Sequence, residues 1–176
     1  MNSPRALLDE LIAGEAPAPG SGVAAAVVAA IAASIVGDAA RSSNEAGAAA
    51  QAGKLGRRAL PLAEADERAF LKATELLAES AGDFELGRAL ERAAEVPLQI
   101  AALAADVAAL ASHVAEKGDP SVRADAVGAA FLAEGAARTA AHLVEINLGT
   151  RADDPRVRSA RALVAAASAS VGALTG

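Results

Sequence analysis

From Ala16 to Gly37 the chain carries no charged residue, and Glu15 and Asp38 close the run at either end. So long an uncharged stretch has two homes, a membrane or the middle of a protein core. Its side chains are mostly alanine, which is only weakly apolar. Its first third, Ala16-Pro17-Ala18-Pro19-Gly20-Ser21-Gly22, holds two prolines and two glycines. A bilayer span is poorly served by either property, so the run reads as a core helix that starts near Ser21. That placement commits the rest of the chain. A helix apolar on all sides must be wrapped by other elements, and composition says what those are.

Alanine dominates the apolar fraction, whereas only three Phe (Phe70, Phe84, Phe131), one Met and no Tyr or Trp are present. Sheets are built from β-branched and aromatic residues, and helices from alanine. The reading is therefore all-α: an antiparallel bundle of long, Ala-rich helices forming one domain over residues 1–176. A helix over about Pro4 to Ala13 is capped by Ser3. The core helix spans about Ser21 to Ser42, with Ser21 as its cap. Others cover about Gly47 to Glu79, Phe84 to Glu116 and Ser121 to Leu148. A last one opens at Pro155, capped by Asp154. Pro61 and Pro97 fall inside two of these helices and predict a kink or a division there. Gly82 and Lys117-Gly118-Asp119-Pro120 mark turns.

Several functions are disfavoured. The chain has no cysteine and a formal net charge of −6. Disulfides, thiolate metal sites and cysteine nucleophiles are excluded, and nucleic acid is an improbable partner. Two histidines, His113 and His142, make no metal motif and read as structural or exposed. Asp9 and Glu10 stand where a secretory signal needs basic residues, so a cytoplasmic protein is expected, with no membrane partner.

The glycines of Pro19-Gly20-Ser21-Gly22 let a backbone approach closely at a helix N-terminus, where free N–H groups favour an anion. It is not a P-loop, because no Lys-Ser/Thr pair follows, and a plain turn with an N-cap accounts for it equally well. Asp66 is a solvated helix charge or a working carboxylate. Asp125 is a first-turn charge favoured by the helix dipole or a functional one. Asn147 is a helix C-cap or a ligand contact. Asp125 and Asn147 stand on one predicted helix, 22 residues and about 33 Å apart, so they cannot grip the same end of a ligand within one subunit.

The order of motifs resembles the cyclodeaminase/cyclohydrolase family, the type of domain found at the C-terminus of formiminotransferase-cyclodeaminase. Leu8-Asp9-Glu10-Leu11 and Pro17-Ala18-Pro19-Gly20-Ser21-Gly22 are similar to its opening. Asp66-Glu67-Arg68-Ala69-Phe70, Ala94-Glu95-Val96-Pro97, Gly118-Asp119-Pro120 with Asp125, and Ile146-Asn147 follow in register. The resemblance implies a helical homodimer acting on a tetrahydrofolate derivative, which is its substrate, with no further cofactor and no metal. It implies hydrolysis of 5,10-methenyltetrahydrofolate to the 10-formyl form. The alternatives are cyclisation of 5-formiminotetrahydrofolate with loss of ammonia, or folate binding without turnover. Asp66 and Asp125 are then the catalytic carboxylates, and Pro19, Gly20, Ser21, Gly22 and Asn147 the substrate contacts. The chain departs from the family pattern in having Ser21 for a glycine, Val23 for a serine, Asp119 and Ser121 for asparagines, and Ala124 for a serine.

Overall fold

The structure, a computed structural model, describes residues 20–79, 82–149 and 153–175. The expected first helix over Pro4 to Ala13, and Pro19, lie outside the described residues. Five long helices follow in order: α1 (Ser21–Ser42), α2 (Ala46–Ala78), α3 (Asp83–Lys117), α4 (Arg123–Leu148) and α5 (Pro155–Thr175). A single 3₁₀ turn, Pro120–Val122, leads into α4. No strand occurs among the described residues.

Successive helices run antiparallel. Gly37 of α1 faces Ala52 of α2, while Gly22 faces Asp66. Glu134 and Glu145 of α4 meet Ser168 and Arg161 of α5. The core where they meet is made of methyl groups. Ala26, Ala29, Ala32 and Ala40 of α1 are fully buried, as are Ala104 and Ala108 of α3 and Ala130 and Ala133 of α4. Larger side chains are few, chiefly Ile100, Leu103, Val36, Val107, Val114 and Val144. Small side chains let helix backbones approach closely: a Cβ on Gly37 would already touch that of Ala52 at 3.4 Å. Both α1 and α3 are long and apolar enough to cross a membrane, yet half of the α1 window and 67% of the α3 window are buried against other helices. The uncharged run is thus a core helix, as its composition predicts.

Caps explain most boundaries. Asp154 Oδ1 accepts from Arg156 N at 2.8 Å and from the Arg156 guanidinium, which starts α5 at Pro155 as expected. Gly118 ends α3 at a point where only glycine fits. A Cβ there would lie 2.5 Å from Val114 O and 2.7 Å from Ser43 Oγ. The next residue is fixed too, since Asp119 N donates to Ser43 Oγ at 2.8 Å. The expected cap at Ser21 is corrected: Gly20 is the N-cap, no side chain caps the helix, and Ser21 is its first helical residue.

The prolines correct one half of a second expectation, the division. Neither Pro61 nor Pro97 divides its helix. Proline at 97 removes the N–H that would bond Ala93 O, four residues back. Asn147 supplies the missing donor, its Nδ2 giving a hydrogen bond to Ala93 O at 2.8 Å. Pro61 sits on an exposed face, where solvent reaches the carbonyl it leaves free. The long range of the Asn147 bond makes a prediction. Asn147→Ala should cost about 1–3 kcal/mol of stability in urea unfolding, because Ala93 O loses its donor. Adding Pro97→Ala should recover part of that loss by restoring the backbone N–H. Equal stability of Asn147→Ala and the parent would contradict the substitution of one donor for the other.

Candidate functional site

One end of the bundle gathers the glycine entry, Asp66 and Asn147. The first bond of α1 runs from Ala24 N to Gly20 O at 2.9 Å. The N–H groups of Ser21, Gly22 and Val23 therefore precede the helical ladder and carry its positive end. The Asp66 carboxylate lies against Gly22. A Cβ placed on Gly22 would fall 2.1 Å from Asp66 Oδ2 and 2.5 Å from its Cγ. Glycine at 22 is thus the space that the carboxylate occupies. Asp66 itself is half-buried, and burial pushes its pKa above the ordinary 3.8. A partly desolvated carboxylate at a helix N-terminus is a proton acceptor placed where an anion or a polarised group would be received.

Asp66 also carries a stability consequence. A raised folded pKa means that the folded chain binds more protons than the unfolded chain above 3.8. Stability then falls as pH climbs through that window. Asp66→Asn stays neutral throughout, so its melting temperature should gain on the parent's as pH rises above about 4. A variant that loses ground on the parent over that range would refute the assignment of burial as the cause.

Asp125 is elsewhere. It is exposed in the first turn of α4. There it lines a hollow of about 630 Å³ with Asp38 and Ser42 of α1, at the end of the bundle where Ser43 meets Asp119. From Gly22 to Asp38 is sixteen residues along α1, or about 24 Å. The chain therefore does not bring Asp66 and Asp125 together, and the separation of Asp125 from Asn147 along α4 stands as the sequence requires. Asn147 shares the Asp66 end, but its Nδ2 is committed to Ala93 O. Asp119 is occupied as well: the Ser121 hydroxyl and N–H donate to its Oδ1 at 2.6 and 2.8 Å, and hold its pKa below the usual carboxylate range. His113 is exposed beside Glu45 at 3.4 Å, and His142 is exposed. No cluster of metal ligands occurs among the described residues.

The sequence reading did not single out a cleft of about 640 Å³ between the C-terminal part of α2 and the start of α3. Its charged lining is Arg68, Lys72, Arg88 and Arg92 with one acid, Glu85; Ala69, one turn beyond Asp66, also lines it. The signal was present as two cations four residues apart on each of two consecutive helices. That spacing places each pair on one face.

The sequence pattern of formiminotransferase-cyclodeaminase matches residues 5–166. This chain belongs to the formiminotransferase-cyclodeaminase family. The fold agrees: the chain superposes on the crystal structure of a formiminotetrahydrofolate cyclodeaminase from Thermotoga maritima with a TM-score of 0.77 and 24% sequence identity. The match covers 99% of this chain and 92% of that one. No curated protein matches. A cyclodeaminase-type, folate-related family member accordingly carries the Gly22–Asp66 contact at one end of an all-helical bundle.

Proposed function

We propose that this chain hydrolyses 5,10-methenyltetrahydrofolate to 10-formyltetrahydrofolate, with Asp66 as the catalytic carboxylate. The observation that carries the reading is the Asp66 carboxylate, half-buried against Gly22 at the N-terminus of α1, in a chain of this family. The methenyl carbon lies between two nitrogens that share a positive charge, so it is electrophilic without a metal. An ionised Asp66 beside it balances that charge and takes a proton from the attacking water. The C–O bond forms, the bond from that carbon to N5 breaks as one proton passes to N5, and the other proton of the water is released to solvent as the formyl C=O forms. The Pro19–Gly22 entry holds the ligand, and its free N–H groups face the developing oxygen charge. Asn147 borders the same end and completes it through its Oδ1. Asp125 acts apart from this contact, at the other end of α1.

A second reading is favoured by the activity for which the Thermotoga maritima protein is named, that of a formiminotetrahydrofolate cyclodeaminase. Cyclisation of 5-formiminotetrahydrofolate with release of ammonia passes through the same carbon and asks the same carboxylate to move protons. Two assays divide the readings. Decay of methenyltetrahydrofolate absorbance above the spontaneous rate supports hydrolysis, whereas ammonia release from the formimino compound supports deamination. Binding of 5-formyltetrahydrofolate without either activity would leave a folate-binding protein and sink the catalytic proposal. The proposal also takes the protein to be a cytoplasmic homodimer. A sedimenting species of only 17.3 kDa at micromolar concentration would overturn the dimer.

A further inference from the structure

From Ala46 to Ala63, helix α2 carries three cations, Lys54, Arg57 and Arg58, and no acid, in a chain whose net charge is −6. Arg57 and Arg58 follow Lys54 by three and four residues, so the Cβ of Lys54 stands about 5–6 Å from each of theirs. Together with Pro61, Leu62 and Gln99 of α3 they line a hollow of about 530 Å³ that has no acid in its wall. None of the three has an ion pair or a side-chain hydrogen bond among the described residues. Arg41, Arg68, Lys72, Arg138, Arg156 and Arg161, by contrast, each face a carboxylate. Like charges held this close repel one another, and a compact anion bridging them removes the repulsion.

Gln99 also borders a second hollow. On its other side α3 and α5 enclose about 440 Å³, walled by Leu98, Ala102, Ala162 and Leu163, with the Ser159 hydroxyl as a further polar group. The two hollows meet at Gln99, and the crossing is one helix wide, about 10 Å. A ligand straddling Gln99 therefore places a polyanion on α2 and an apolar, flat body against α5. A chain of phosphates concentrates several charges within reach of three neighbouring cations, and guanidinium and ammonium groups both suit it. An amide and a hydroxyl at the rim suit the polar edge of a ring. We propose that this surface binds a nucleoside di- or triphosphate. Lys54, Arg57 and Arg58 hold the phosphates, and the base lies in the α3–α5 groove with Gln99 and Ser159 at its edge. The site is separate from the folate reading and does not rest on it. Asp66 faces Gly22 of α1, whereas this surface opens toward α3 and α5, and Lys54 stands twelve residues, about 18 Å, from Asp66 along α2.

Calorimetric titration of the full chain with ATP and with GTP, in magnesium-free buffer of low ionic strength, tests the proposal. Inorganic tripolyphosphate probes the phosphate part alone. At least one nucleotide should bind, and more tightly than tripolyphosphate, because only a nucleotide fills the groove. Arg57→Ala/Arg58→Ala should weaken nucleotide and tripolyphosphate alike by about tenfold, and added salt should weaken both, since these groups are open to solvent. Ala162→Glu should weaken the nucleotide and leave tripolyphosphate nearly unaffected. All three positions are exposed, so the variants should keep their helical circular dichroism. An excess of 5-formyltetrahydrofolate should leave the bound nucleotide in place. Failure of both nucleotides to bind at millimolar concentration, affinity unchanged in the double variant, or equal affinity for nucleotide and tripolyphosphate overturns the proposal. Displacement by 5-formyltetrahydrofolate overturns it too, by making the hollow part of the folate site.

Discussion

Asp66→Asn should remove most methenyltetrahydrofolate hydrolysis, a loss of about a hundredfold to ten-thousandfold, while the helical spectrum and the fold persist. The amide keeps the volume that fits against Gly22 but neither takes a proton nor balances a cationic carbon. Because burial holds the carboxyl above its ordinary pKa, its acid limb in a pH–rate profile should lie higher than that of a solvated aspartate. The amide variant should lose that limb. The measurement is a progress curve at saturating substrate, corrected for spontaneous hydrolysis. An active parent indifferent to the substitution would show that the wrong carboxylate has been chosen, and Asp125, at the far end of α1, would be the one to replace next. Asp119→Asn should change little by comparison, since that side chain closes its own turn with Ser121.

The second large effect comes from a residue with no side chain. Gly22→Ala should cost about a hundredfold in kcat, the size expected when a reacting group is moved by about 1 Å. The added methyl would occupy the place of Asp66 Oδ2, 2.1 Å away, and aspartate is too short to swing aside while keeping its position. Substrate binding should suffer less than kcat, because the helix N-terminus itself remains. Gly20→Ala is the matching control: a Cβ there meets nothing within 4 Å. The two alanine variants should differ sharply in rate. Similar rates would mean that the Asp66 carboxylate is not held by that cavity in the working enzyme.

Much of the fold was legible in the residues. The uncharged run became α1 with the predicted ends, Ser21 and Ser42. Asp154-Pro155 opened the last helix, and Gly118 closed α3, because caps and turns act over a few neighbouring residues. The division expected at the prolines does not occur, for a complementary reason. Whether Pro97 breaks a helix depends on what replaces its N–H, and the replacement, Asn147, stands 54 residues from Ala93. At the site, the motif pointed to Asp66 and the glycines, but only packing shows that Gly22 and Asp66 are in contact. The spacing of Asp125 and Asn147 on one helix was visible in sequence; the distance of Asp125 from Asp66 was not. The cationic cleft escaped notice because half of it belongs to α2 and half to α3, and overall acidity concealed it.

The methyl-lined interior has a bearing on motion. Alanine has no rotamers to lose on folding, so this core is ordered at almost no side-chain entropy cost. By the same token it has no alternative arrangements: where leucine or methionine can swing to fill a gap, a methyl group stays where its backbone puts it. Helices seated on such a surface shift only as whole rods, and each shift opens gaps that nothing nearby can fill. Adaptation to a bound molecule is thereby confined to the rim of the bundle, where exposed Phe84 and the arginines at the start of α3 have room to turn.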